Sequence, residues 1–275
     1  MLKDIIVNLG LGARDPAGDF AVSIAETFAA HVLGVAFVYD PEIPGTVIGG
    51  IPTEIIEPLR AKSESQAQTA VTRFDKAASR AGVSAETLKI NGSIASAADQ
   101  LGKLARRFDL GIIGQPERES FAPDEVLAES LLFESGRPVI IVPYIQKQGL
   151  KLDRVLLCWD GTRAATRAIA DAMQFLEKAK QVEIVMVTND RGKGSGIPGA
   201  DLAAHLARHD IKVETRPLTA GDIDVANTIL SHAADSGADM IVMGGYGHSR
   251  LREFVLGGVT RGILATMTVP TLMSH

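Results

Sequence analysis

The stretch Met243–Thr260, MGGYGHSRLREFVLGGVT, decides the fold because it joins a strand pattern to a helix pattern through a glycine-rich loop. The residues that lead into it, Met240–Met243, form a continuous apolar run that is typical of a strand buried on both faces. The residues that leave it, Val259–Ala265, have the apolar spacing of a helix. A buried strand followed by a loop and a helix indicates a parallel α/β sheet.

Glycines lie near both ends of this loop, and those at positions 244, 247, 257 and 258 are spaced in a way that suits a ligand. Glycine allows positive φ angles and lets a ligand approach bare backbone, and the first N–H groups of the following helix are unpaired and suit an anion. Thr260 adds a hydroxyl in the first turn, while His248, Arg250 and Arg252 make the loop basic. These features indicate a phosphate cradle; the alternative is a set of turn glycines in a solvated basic loop.

The spacing Gly-x2-Gly-x9-Gly at positions 244, 247 and 257 resembles the nucleotide-binding signature of the universal stress protein family. That family usually has Ser or Thr at the next position, whereas this chain has Gly258, which removes a hydroxyl expected near the phosphates. Backbone N–H groups remain there, and Thr260 matches a hydroxyl position slightly further on. The resemblance implies a stress-response protein that binds ATP or another adenine nucleotide, with or without magnesium.

The composition is that of a soluble globular protein with room for two domains. The chain has 275 residues, of which 46% are hydrophobic and 22% charged, and an average domain has roughly 150. Its net charge of −5 argues against a nucleic-acid partner. The single cysteine, Cys158, excludes an intramolecular disulfide and suits a reducing compartment. Neither a signal peptide nor an apolar run of roughly 20 residues is evident, so we expect a cytoplasmic protein without a membrane partner.

Outward from the glycine-rich stretch, strand patterns alternate with helix patterns in two successive halves of the chain. We predict a first domain at residues 1–145 and a second at residues 151–275. The predicted strands are Asp4–Leu9, Leu33–Val38, Ala85–Ile90, Leu110–Gly114 and Pro138–Val142, then Val155–Trp159, Val182–Val187, Lys212–Pro217, Asp239–Met243 and Val269–Met273. Because parallel neighbours need crossover helices, the predicted fold is α/β, with two tandem doubly wound five-stranded parallel sheets and helices on both faces.

Local echoes between the halves indicate a duplicated domain. Asp109–Gly114, DLGIIG, corresponds to Asp239–Gly244, DMIVMG, and the resemblance to the family covers both halves. Universal stress proteins commonly pair through their fifth strands. We therefore expect residues 138–142 and 269–273 to pair within the chain as an internal pseudo-dimer, and it stays open whether two chains also form a homodimer.

Ligands of open α/β sheets bind beyond the carboxyl ends of the strands, and three such ends should converge in the second domain. They carry Asp160, Val187 and Gly244. By its chemistry, Asp160 either accepts a hydrogen bond from an adenine amine or a ribose hydroxyl, or caps the next helix. The resemblance implies that Asp160 contacts adenine and that Val187 reads the base edge. The residues that fall on the family's ribose and phosphate positions are Met243, Gly244, Gly247, Gly257, Gly258, Val259 and Thr260. We add His248 to this set.

The first half departs from this pattern at each place. Gly10 stands where the second half has Asp160, and the spacing of the glycines is lost after Gly114. The basic loop is replaced by carboxylates, which would repel a phosphate. These carboxylates are Glu117, Glu119, Asp124 and Glu125. We predict that the first domain binds no nucleotide in this mode.

Other candidate residues favour structural interpretations. His205 and His209 stand four apart on one helix face, without an evident third ligand other than Asp210, which favours a solvated pair over a metal site. Cys158 lies in a predicted buried strand and is expected to be an inert thiol. No catalytic residues are predicted, because phosphoryl transfer needs a metal carboxylate and a base besides a cationic clamp. Nucleotide binding is the favoured function; a slow ATPase and a nucleotide-free interaction scaffold are the alternatives.

Overall fold

In a computed structural model of the chain, the described residues are 1–40, 53–116, 123–188, 199–220, 224–245 and 258–275. They form two compact units, Leu2–Arg137 and Pro138–His275, the latter with Met1. None of the helices in these residues combines the length and the hydrophobicity that a membrane span requires.

In the first unit, strands and helices alternate. The elements are β1 (Asp4–Asn8), α1 (Pro16–Phe28), β2 (His31–Tyr39), α2 (Thr53–Ala81), β3 (Ala85–Gly92), α3 (Ile94–Ala105), β4 (Leu110–Gly114) and α4 (Pro123–Glu134). The strands follow the order β3-β2-β1-β4, and the paired strands are parallel. The core strand β1 is buried almost throughout because its residues 5–7 are Ile, Ile and Val, with neighbours on both sides.

The second unit repeats this alternation. Its elements are β5 (Val139–Val142), β6 (Arg154–Cys158), α5 (Arg163–Leu176), β7 (Gln181–Thr188), α6 (Ala200–Ala207), β8 (Val213–Thr219), α7 (Val225–Ser236), β9 (Met240–Gly244), α8 (Gly258–Thr266) and β10 (Thr271–Ser274). The strand order is β5-β10-β9-β6-β7-β8. All pairs in this series are parallel except β5 with β10.

The structure confirms the predicted tandem α/β alternation and the pairing of the two fifth strands. Residues 139–141 of β5 pair antiparallel with residues 271–273 of β10. Through this pairing β5 belongs to the second compact unit, which begins at Pro138. The domain boundary at 145–151, which rests on the sequence repeat, stays a prediction.

Helix pairing follows from the connections between the strands. Helix α1 packs with α2, α3 with α4, and α7 with α8. Crossovers between parallel strands are right-handed. Two crossover helices therefore lie on opposite faces of a sheet when their connections run in opposite directions along the strand order. In α5 the buried residues recur at helical spacing, so one side of the helix is apolar: Ala165, Ala168, Ile169, Ala172, Phe175 and Leu176.

Candidate functional site

The second unit has a topological switch point between β6 and β9. From β6 the chain proceeds to β7 and β8 on one side, then returns to β9 and β10 on the other. Because β6 is parallel to both neighbours, the carboxyl ends of β6, β7 and β9 share one edge of the sheet. Asp160 follows β6, Val187 is the last but one residue of β7, and Gly244 ends β9. The structure thus brings these three predicted residues to the edge where ligands of such sheets bind.

Asp160 is exposed, and one of its carboxylate oxygens accepts two hydrogen bonds from Thr162. Oδ1 accepts hydrogen bonds from the N–H of Thr162 at 2.9 Å and from Thr162 Oγ1 at 2.7 Å. Within the described residues, Oδ2 has no hydrogen-bond partner. The interpretation of Asp160 as the helix cap is wrong, because Thr162 is the N-cap of α5 and accepts from the N–H of Ala165 at 3.2 Å. Asp160 supports that cap and keeps one oxygen available to a ligand.

Two glycines of the second unit, Gly161 and Gly258, are exposed. Gly161 has a φ of 75°, which L side chains rarely adopt, and a Cβ placed on it would meet nothing within 4 Å. Gly258 opens α8, and within the described residues a Cβ placed on it would also meet nothing within 4 Å. The first N–H groups of a helix are unpaired, so the start of α8 offers hydrogen-bond donors that suit an anion.

Gly244 has a different role from these glycines. A Cβ placed on it would lie 2.5 Å from the backbone N of Ala165 and 2.7 Å from the carbonyl carbon of Ala164. The end of β9 therefore packs directly against the first turn of α5. The next residue, Gly245, donates its N–H to Ser274 O at 2.8 Å. Close helix–strand packing is thus sufficient to require glycine at 244.

The other predicted residues lie around this edge or outside the described residues. Met243 and Thr260 are buried, and Val187 and Val259 are half-buried. Gly262 of α8 approaches α7 so closely that a Cβ on it would lie 2.6 Å from Ala226 Cβ. The predicted residues that lie outside the described residues are Gly247, His248 and Gly257, together with Arg250 and Arg252 of the basic loop.

At the corresponding edge of the first unit, an arginine from α2 holds the loop after β1. Arg73 donates from Nη2 to Gly10 O at 2.6 Å and from Nη1 to Gly12 O at 2.8 Å. Its Nη2 also lies 3.6 Å from Oδ2 of the buried Asp15, which is the N-cap of α1. The loop that in the second unit carries Asp160 is here bound to the protein's own guanidinium.

The first unit also carries acidic residues where the second is predicted to be basic. Asp124 and Glu125 lie in the first turn of α4, and Glu117 and Glu119 lie outside the described residues. Burial raises the pKa of Tyr39 at the end of β2, and the charge of Asp124 raises it further. A carboxylate near this strand end disfavours a second anion there. That the first unit binds no nucleotide stays a prediction.

The remaining side chains singled out in the sequence have the following surroundings. Burial, and secondly the charge of Asp160, raises the pKa of the Cys158 thiol to about 12, which leaves very little thiolate at neutral pH. The rings of His205 and His209 lie 5.0 Å apart in an edge-to-face arrangement. Within the described residues there is no cluster of three or more side chains that could hold a metal ion.

Sequence reasoning missed a buried ion network in the second unit. The carboxylate of Glu183 in β7 accepts from Arg154 Nη1 at 3.3 Å and Arg216 Nε at 3.2 Å, and it lies 3.0 Å from His232 Nε2. The side chain of Glu183 is 3% exposed. A glutamate inside the apolar run 182–187 was the available signal, because a buried carboxylate requires cationic partners.

Comparison with known proteins identifies relatives of the second unit and of the whole fold. Residues 151–275 match the Universal stress protein family. A universal stress protein of Synechocystis sp. is 27% identical over 183 residues, which are 63% of this chain and 60% of that protein. This chain therefore spans less than two thirds of that relative's length.

Solved structures give a wider structural likeness. A universal stress protein from Archaeoglobus fulgidus DSM 4304 has a TM-score of 0.73 at 17% identity, over 98% of this chain and 97% of that chain. At this identity the likeness shows the fold. A shorter match is a universal stress protein in complex with cAMP, with a TM-score of 0.34 at 17% identity, over 52% of this chain and 97% of that chain.

Proposed function

The chain belongs to the universal stress protein family through its residues 151–275, and on that premise we propose that its second unit binds an adenine nucleotide, with ATP as the first candidate. The site is the edge formed by the carboxyl ends of β6, β7 and β9, together with the glycine-rich loop and the start of α8. Binding is the function, and the proposal assigns no catalytic residue.

The observation that carries this proposal is the free oxygen of Asp160 at the switch point. Oδ1 is held by Thr162, which orients the carboxylate, while Oδ2 has no partner within the described residues. A carboxylate held in this way accepts strongly from an adenine amine or a ribose hydroxyl, because hydrogen bonds to charged acceptors are shorter and stronger than neutral ones. The backbone of Val187, at the end of the neighbouring strand β7, supports an adenine-edge contact.

The phosphate end of the site rests on the helix start and on the loop sequence. Within the described residues, nothing lies within 4 Å of a Cβ placed on Gly258, and the first N–H groups of α8 carry the positive end of the helix dipole. The spacing of Gly247 and Gly257 and the basic residues between them extend this arrangement in the sequence. A triphosphate with bound magnesium is compatible with these donors, and the proposal includes ATP with or without the ion.

The test is a titration of nucleotide-stripped full-length protein with ATP, followed by the fluorescence of Trp159, the only tryptophan. Trp159 adjoins Asp160, and its backbone N–H donates to Val185 O at 2.9 Å. A ligand at this edge should therefore change the emission of the indole ring. Asp160→Asn keeps an acceptor for Thr162 but loses the anionic oxygen. We expect it to weaken binding by about tenfold to a hundredfold, the range for a hydrogen bond to a charged group.

The matched control is Asp235→Asn, which makes the same chemical change at an exposed position near the end of α7. It should bind ATP like the parent chain. No saturable change in fluorescence, together with no heat of binding in calorimetry, would overturn the proposal and favour the nucleotide-free scaffold. Equal ATP affinity of Asp160→Asn and Asp235→Asn would show that the nucleotide does not contact the Asp160 carboxylate.

A second variant tests the phosphate end of the site. Gly258→Ser supplies the hydroxyl that the family usually has at this position, and within the described residues nothing lies within 4 Å of the new Cβ. One added hydrogen bond to an anionic phosphate should tighten ATP binding by about tenfold to a hundredfold. The same titration measures this change, with Gly258→Ala as the control without a hydroxyl. Tighter binding by both variants to the same extent would assign the effect to the helix start and not to a phosphate contact.

A further inference from the structure

Strand β3 ends the strand order of the first unit, and one of its edges is unpaired within the described residues. It pairs with β2 along its whole length, from Val32↔Ala85 to Tyr39↔Gly92. An unpaired strand of this length presents a row of backbone donors and acceptors that another chain can use.

The hydrogen bonds to β2 show which backbone groups face outwards. Val32 donates to Ser84 O at 3.0 Å, and Asp40 donates to Gly92 O at 3.1 Å. Because alternate residues of a parallel strand face the same neighbour, the even-numbered residues of β3 bond to β2. Ala85, Thr87, Lys89 and Asn91 therefore direct their N–H and C=O groups away from the sheet.

A groove of about 570 Å³ runs beside this edge, between β3 and α3. Its strand side is formed by Leu88–Asn91, and its helix side by Gln100, Lys103, Leu104 and Arg107. Leu88 is 39% exposed and leaves apolar surface open beside the edge. Peptides that add a strand to a sheet edge gain affinity from main-chain bonds and specificity from such side-chain contacts.

The groove is cationic. Two of the residues on its helix side, Lys103 and Arg107, are cationic, and no Asp or Glu lines the groove within the described residues. Lys103 is paired with Asp99 at 2.7 Å and Lys89 with Glu64, whereas Arg107 has no ion-pair partner in the described part of the unit. A partner with carboxylates along this groove would meet complementary charge.

The edge strand of the second unit is blocked at the corresponding position. Strand β8 ends the strand order of its unit, as β3 does. Pro217 of β8 pairs with Met186, and Lys89 of β3 pairs with Ala36 at the equivalent position of the first unit. Both positions face outwards, and proline has no N–H to offer there. Natural sheets protect their edges with proline in this way, and β3 has none.

We propose that the β3 edge binds an extended acidic segment of another protein as an added strand, with acidic side chains towards Lys103 and Arg107. A second copy of this chain fits less well, because two β3 edges would bring their lysine and arginine side chains together. The occupant is thus identified by its chemistry: an extended peptide without proline, in which acidic residues alternate with β-branched residues.

The test uses the full-length chain and a fluorescein-labelled eight-residue peptide of alternating glutamate and valine, with fluorescence anisotropy as the readout. The charge control is the same peptide with lysine in place of glutamate. We expect saturable binding of the acidic peptide and none of the lysine peptide. The double variant Lys103→Glu/Arg107→Glu should weaken acidic-peptide binding by at least about tenfold, because two attractive charges become repulsive.

A proline variant tests the backbone pairing. Lys89→Pro gives β3 the residue that β8 carries at the same register position, so the fold should accept it, and it removes one outward N–H. Lys89→Ala is matched to it, since it removes the same charge but keeps the N–H. We expect Lys89→Pro to bind the peptide about fivefold to tenfold more weakly than Lys89→Ala.

A pair of modified peptides keeps the test independent of that fold. One peptide is N-methylated at its odd-numbered residues and the other at its even-numbered residues. Only one of these two sets directs its N–H groups towards β3, so methylation of that set should abolish binding and methylation of the other set should leave binding intact. Absence of binding, equal binding of the lysine peptide, or indifference to both phases would overturn the proposal. A dimer in sedimentation that dissociates with Lys89→Pro would assign the edge to a second copy instead.

Discussion

At the scale of single residues, Gly244 is the position where the second unit has least room. Because a Cβ would lie 2.5 Å from Ala165 N, Gly244→Ala must push the end of β9 away from α5. Inserting a methyl group into close-packed structure costs about 1–3 kcal/mol, so we expect the free energy of unfolding to fall by that amount. Urea denaturation followed by circular dichroism measures it.

The control for this prediction is Gly258→Ala. Within the described residues nothing lies within 4 Å of the added Cβ, and alanine favours a helix over glycine by about 1 kcal/mol at most. Stability should therefore stay unchanged or rise slightly. Equal loss of stability in both variants would contradict the assignment of Gly244 as a packing glycine.

At the scale of elements, the loop between β1 and α1 depends on a buried carboxylate. Asp15 is 5% exposed; its Oδ1 accepts from the N–H of Gly18 at 3.0 Å, whereas Oδ2 has no hydrogen-bond partner within the described residues. Burial raises the pKa of Asp15 above its usual value, although the Gly18 N–H and the charge of Arg73 oppose this. The native state therefore binds this proton more tightly than the unfolded chain does.

The pH dependence of stability follows from the direction of that shift. The pKa of Asp15 is higher in the folded protein than in the unfolded chain, where it is about 3.9. The contribution of Asp15 to the free energy of unfolding is therefore fully present below the unfolded pKa and is lost as the pH rises through the folded pKa. Asp15→Asn keeps an N-cap without a charge. The difference in unfolding free energy, variant minus parent, should therefore increase from pH 4 to pH 7.

Urea denaturation across this pH range measures the difference. Asp75→Asn, an exposed change on α2, is the control and should show no such trend. A difference that decreases with pH would mean that attraction to Arg73 outweighs the burial of the Asp15 carboxylate.

The ion network around Glu183 connects β6, β7, β8 and α7. Removing one charge from a buried ion pair usually costs about 3–5 kcal/mol, because the partners remain without compensation. Arg216 is 60% exposed and keeps part of its hydration, so we expect Glu183→Gln to lower the unfolding free energy by about 3 kcal/mol. Thermal and urea unfolding measure it, with Glu86→Gln on the exposed face of β3 as the control. A loss no larger than that of the control would show that the network is not needed for stability.

At the scale of the whole molecule, β5 should unfold with the second unit. Its residues 139–141 pair with β10, which also pairs with β9. Local opening proceeds in cooperative units, so β5 amides should exchange with the same free energy as those of β9 and β10. Hydrogen exchange measured by mass spectrometry in the Gly244→Ala variant tests this. Exchange should accelerate in β5 and in β6–β10 but not in β1–β3; acceleration that spares β5 would contradict the grouping.

The sequence by itself determined the alternation of strands and helices, the duplication, and the glycine-rich loop as the candidate site. These features are local: a continuous apolar run predicts a buried strand, and a recurrent apolar position predicts a helix, whatever lies elsewhere. The resemblance also predicted the pairing of residues 138–142 with 269–273, which β5 and β10 confirm. The roles of Gly247, His248 and Gly257 still rest on the sequence.

The tertiary structure alone decided which side chains meet. Thr162 and not Asp160 caps α5, Arg73 binds the loop that lies 61 and 63 residues before it, and Glu183 meets His232 49 residues later. Likewise, the close approach of α5 is by itself sufficient to require glycine at 244. Such contacts depend on strand order and register, which bring together residues far apart in the chain, and no local periodicity records them.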